Sequence, residues 1–72
     1  MGWISVKDRL PENDDEILVT RRYREQNQVI TDVMYNPKHS RFEYCDDNYY
    51  GIEVKDVIAW MPLPEPYQGD DK

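Results

Sequence analysis

The sequence predicts a small, mostly β domain: one antiparallel sheet of about four strands, curled toward a small barrel, with a proline-rich C-terminal segment packed on it. Three observations carry that expectation. Apolar and β-branched residues come in short runs of about four to eight, the length of strands. Those runs are separated by Asn, Asp, Pro and Gly, the residues that build turns. The clearest run, Val29 to Tyr35, alternates with a period of two.

Element by element, residues 3–11 (WISVKDRLP) open with Trp3, Ile4 and Val6 around Ser5 and then turn charged, which reads as an extended entry closed by a turn at Pro11. Pro11 to Asp15 is a loop whose Asn and Asp side chains bond their own backbone. Glu16 to Tyr23 follows as a strand with one wet face, and Arg24 to Gln28 as a loop. In the next strand Val29, Thr31, Val33 and Tyr35 fall on one face, and Ile30, Asp32 and Met34 on the other; the two strands form a hairpin. Asn36-Pro37 is a turn, since proline drives the residue before it out of the helical region. Arg41 to Cys45 makes a third strand, Asp46 to Gly51 a polar loop carrying Tyr49 and Tyr50, and Val54 to Met61 the last strand. Pro62, Pro64 and Pro66 stop it and run on as extended backbone. The expected organisation is one domain over residues 1–66 and a disordered tail over 67–72.

With 72 residues the chain buries about 60% of the surface its unfolded form exposes, so the core is small. Such a core yields roughly 3–5 kcal/mol, and a disulfide, metal or partner subunit would add to it. A single cysteine, Cys45, excludes an internal disulfide, and His39 and Cys45 lack companions at zinc spacing. Self-association is the remaining means of support. A mean hydropathy of −0.95 and 33% charged residues lean toward disordered composition, but 12% aromatics, periodically placed, argue for a folded domain.

The net charge of −6 opposes direct binding to a DNA or RNA backbone and favours basic partners. No apolar run approaches the ~20 residues that span a bilayer, and the first residues lack the regions of a signal peptide, so the expected location is the cytoplasm. A myristoylation reading of Met1-Gly2 fails at Val6, where Ser or Thr is needed.

The two ends, WISVKDRLP and WMPLPEP, resemble a phage and prophage domain-of-unknown-function family, number five-five-one, whose members open with Trp-Ile-Ser-Val leading to Leu-Pro and close with Trp-Met-Pro-Leu-Pro. The resemblance covers Trp3 to Pro66. It implies a small single domain carried by phages, working in the bacterial host cell, and it implies no activity. The family pattern often places His before the closing Trp; Ala59 stands there in this chain, which puts a His-based role in doubt.

Candidate binding residues are Trp3, Arg21, Arg22, Tyr23, Arg24, Tyr49, Tyr50 and Trp60. Trp3 and Trp60 suit a stacking platform, but large aromatics at both ends of a small domain more often clamp the termini over the core and give the indole N–H to a backbone carbonyl. Arg21, Arg22 and Arg24 around Tyr23 are the one concentrated basic stretch; they suit a phosphate or nucleotide, but read first as a solvated strand face and loop neutralised by Glu25 and the acidic loops. The proline segment reads either as a groove ligand or as cover for an edge strand, the latter favoured. Acidic runs at residues 14–16, 46–47 and 70–71 read as solubilising loops before they read as mimicry of nucleic acid. No nucleophile, paired catalytic carboxylates, metal ligands or cofactor motif emerges, so the expectation is a non-enzyme. The first functional expectation is a phage protein that engages a host or defence-system protein through an acidic, aromatic-rich surface. The alternatives are a binder of a small nucleotide signal, assembled as a homodimer or higher oligomer, and a passive structural module.

Overall fold

The β2–β3 hairpin organises the molecule. In the computed structural model, which describes residues 2–64, β2 spans Glu16–Tyr23 and β3 spans Gln26–Asn36. Tyr23 pairs with Gln26, so the expected five-residue loop is a two-residue turn of Arg24 and Glu25. Both have positive φ, 52° and 68°, the geometry of the turn whose twist matches the flanking strands. Neither is the Asn or Gly such a turn prefers, so the sequence carried no turn signal there.

Among the described residues five strands are present rather than about four. β1 (Ile4–Ser5), β4 (Arg41–Tyr44) and β5 (Val57–Pro62) join the hairpin in the order β1-β5-β2-β3-β4, every pair antiparallel. The extended entry thus supplies an edge strand, Ile4 pairing with Trp60 and Ser5 with Ala59. The last strand starts at Val57 rather than Val54, because Asp56 takes a positive φ of 63° and turns the chain before it. Pro62 sits in β5 opposite Ile17, beyond the residues at which β1 pairs, where no neighbouring strand needs its missing N–H.

The face assignment in β3 needs the main correction. Ile17 pairs with Val33 but Val19 with Ile30, so β3 carries an extra residue, and Asp32 in that bulge has φ 59°. The alternation changes phase across it. Ile30, Val33 and Tyr35 turn toward the core, while Val29 is 60% exposed.

The core comprises Ile17, Val19, Val33, Tyr35, Phe42, Val54 and Trp60. Tyr35 and Phe42 are cross-strand partners whose rings meet edge to face at 5.0 Å. Val54 reaches the core because residues 52–54 run along the free edge of β4, Val54 N–H donating to the Phe42 carbonyl. Two residues later the Asp56 carbonyl accepts from Arg22 N–H at the far end of β2. Two residues span only about 7 Å, so the edge of β4 curls back over β5. The sheet is curled as the sequence predicts but does not close into a barrel, since β1 and β4 do not pair. Leu63 and Pro64, after β5, are exposed; the expectations for Pro66 and for a disordered tail over 67–72 lie outside the described residues. Among the described residues no helix is long and apolar enough to cross a membrane.

Candidate functional site

The two tryptophans part company. Trp60 faces the core and is 7% exposed; its indole N–H donates to the Arg9 carbonyl at 3.0 Å, and the Arg9 guanidinium stands 5.9 Å over the ring. It clamps the entry segment onto the sheet. Trp3, one residue before β1, is 44% exposed. Ile4 and Val6 pack on the core, so alternation turns Trp3 and Ser5 to the opposite face.

The basic stretch lies at the hairpin tip. Arg21 and Arg24 both stand over the Tyr23 ring, at 4.7 and 5.2 Å, a paired cation–π arrangement that occupies the tyrosine. Arg21 Nε also donates to Gln28 Oε1. Arg22 points to the other side of the strand, toward Asn27 Oδ1 at 3.5 Å, so the three guanidiniums do not converge on one point.

Tyr49 and Tyr50 stand on the loop after β4. Asp46 Oδ1 accepts from Tyr49 N–H at 2.8 Å, the Tyr44 and Tyr49 rings meet at 5.6 Å, and Gly51 closes the loop with φ 84°. Its backbone is tied to β4: Gly51 N–H donates to the Tyr44 carbonyl and Tyr44 N–H to the Ile52 carbonyl. A loop held this firmly still presents Tyr50 at 73% exposure, with Tyr49 and Ile52 each more than half exposed beside it. Ile52 was not singled out at the sequence level, since it falls between the polar loop ending at Gly51 and the strand expected from Val54.

Two groups of ionisable side chains flank these surfaces. Glu43 is 7% exposed and bonded by Arg41 Nε at 2.6 Å and Asn36 Nδ2 at 3.2 Å. The Arg41 hydrogen bond holds its carboxyl below the usual carboxylate range, against burial, which acts the other way. Glu16, although exposed, is pushed up by partial desolvation and then by the neighbouring Asp32 carboxyl. The Cys45 thiol is pushed up by burial first and then by Glu16, Asp32 and Asp46, which disfavours the thiolate that a nucleophile requires. Among the described residues no group of three or more His, Cys, Asp or Glu side chains could hold a metal ion. His39 lies in the β3–β4 turn, its N–H donating to the Asn36 carbonyl. An open cavity of about 460 Å³ lies beside Trp60, between acidic Glu12, Asp15 and Glu16 and apolar Leu10 and Leu63.

The sequence-predicted residues therefore occupy four places: Trp60 the core, Trp3 the outer sheet face, Arg21 to Arg24 the hairpin tip, Tyr49 and Tyr50 the loop after β4. With this geometry in hand, the comparison with known families is specific: residues 2–68 match the family described as protein of unknown function (DUF551). The chain belongs to that family. No curated protein and no solved structure matches it.

Proposed function

We propose that this member of the DUF551 family is a phage-encoded binding protein, not an enzyme, and that it engages a host or defence-system protein with the tyrosine loop after β4. The observation that carries the reading is a loop ordered by its own hydrogen bonds that leaves Tyr49, Tyr50 and Ile52 in solvent. Exposed apolar groups that have already lost their conformational freedom lose little more on docking, and tyrosine is favoured at interface centres for that reason. Asp46, which caps Tyr49 N–H, and Asp47 and Glu53, which flank the three in sequence, make the complementary surface basic. The phage setting rests on the family resemblance of the terminal segments.

The test is capture of a tagged chain from phage-infected host cells, read by native mass spectrometry, beside a Tyr49→Ala/Tyr50→Ala variant. A stoichiometric partner held by the parent and weakened at least about 10-fold by the variant supports the reading. No retained protein, or equal retention by both, refutes it.

A further inference from the structure

The outer face of the sheet differs from the rest of this surface. Ser5, Ala59, Thr20 and Val29 form one row across β1, β5, β2 and β3, since Ser5 pairs with Ala59, Ala59 with Thr20, and Thr20 with Val29. Met61 and Leu18 pair in the next row, with Trp3 beside them. One residue in three is charged in this chain, yet none of these is. Trp3 and Val29 are exposed, and Leu18 and Met61 are only partly covered. The charges stand at the two ends of β2: Arg22 at one, Glu16 with Asp32 beside it at the other.

We propose that this face pairs with the same face of a second copy of the chain, the two β2 strands crossing antiparallel about a two-fold axis. The charge distribution selects the occupant. Two molecules of net charge −6 repel wherever acidic loops meet, and the uncharged patch across β1, β5, β2 and β3 is where they approach at least cost. β2 is the middle strand of five, so a two-fold through its centre lays this patch on its copy. That operation lays Arg22 of each copy against Glu16 and Asp32 of the other. The only ion pair among the described residues is Arg41–Glu43, so neither group is already engaged in one. Partial desolvation and the neighbouring Asp32 carboxyl already disfavour the charge of the exposed Glu16, which an arginine across the interface would relieve.

Four strands about 4.8 Å apart and about five residues long give a footprint near 300 Å². Counted on both copies that is about 600 Å², below the roughly 1,200–2,000 Å² of stable specific interfaces, so the dimer is expected to be transient, with a Kd of about 100 µM or weaker.

Sedimentation velocity of the full chain from about 5 µM to about 500 µM decides the matter. The parent is expected to shift from monomer to dimer across that range. Arg22→Glu, which sets acid against acid, is expected to weaken pairing at least about 10-fold, and Glu16→Arg combined with Arg22→Glu to restore it to within about three-fold. Arg22 and Glu16 are exposed, so the fold is retained, as far-ultraviolet circular dichroism would verify. A parent that stays monomeric throughout, a dimer untouched by Arg22→Glu, or a double variant that does not recover would each overturn the proposal.

Discussion

Replacing Arg41 with Met leaves Glu43 as a buried carboxylate with one remaining side-chain partner, Asn36. Breaking a fully buried ion pair costs about 3–5 kcal/mol. Arg41 is 39% exposed and water screens it, so a figure nearer 2 kcal/mol is expected at pH 7. For a domain of this size that loss lowers Tm by roughly 8–16 °C. The pH dependence separates this cause from lost packing. In the parent, Glu43 has a depressed carboxyl pKa, so its contribution is present above the usual carboxylate range and disappears as pH falls through the depressed folded value. In Arg41→Met burial is left to act nearly alone, the pKa rises, and acid protonates the carboxyl and relieves the penalty. Urea denaturation of both proteins between about pH 3 and 7, at one low protein concentration, should show the difference shrinking toward acid. A deficit below about 0.5 kcal/mol at pH 7, or one equal at both ends of the range, would refute the electrostatic account.

Other substitutions address placement. Trp60→Phe removes the indole donor to Arg9 and part of the core, an expected loss of about 2 kcal/mol, and it leaves Trp3 as the sole indole, with red-shifted emission readily quenched by acrylamide; Trp3→Phe should leave a blue-shifted, protected signal. Asp32→Val places a β-branched residue at φ 59° and should cost about 2 kcal/mol in urea denaturation, whereas Asp32→Gly should stay within about 0.5 kcal/mol of the parent, relief of strain offsetting added chain entropy. Arg24→Asn with Glu25→Gly supplies the residues a two-positive-φ turn favours and should raise Tm by about 4–8 °C, roughly 1 kcal/mol.

The parts of the fold legible in the sequence are those where local pattern and tertiary context agree. Glu16–Tyr23 is bounded as its composition predicts because a loop of Asn and Asp precedes it, and the hairpin follows from two adjacent β-rich runs. What escaped is set by single residues with positive φ. Asp32 interrupts a perfect alternation, and only its tolerance of the left-handed region hints that the ladder slips there. Asp56 divides what reads as one apolar run, sending Val54 to the edge of β4 and Val57 to β5. β1 escaped because two residues cannot display a period. The candidate site was less legible still: tyrosine content pointed to a surface, but only the Asp46 hydrogen bond and the Tyr44–Tyr49 contact single out which tyrosines are ordered and exposed together.

Ile17, Leu18 and Val19 held a further signal, since three consecutive apolar residues in a strand mean that both faces are apolar, not one. The inner face is accounted for by Ile17 and Val19, 4% and 0% exposed. Leu18 faces the other way onto a surface that no element of the described chain covers. The same holds in β5, where Trp60 turns inward while Ala59 and Met61 turn out. A charged side chain at any of these outer positions would cost the monomer little, since half-exposed strand positions tolerate polar groups well. Packing within the described monomer does not require apolar residues there, and the proposed pairing with a second copy would account for them, whereas Trp60 is explained by the core alone.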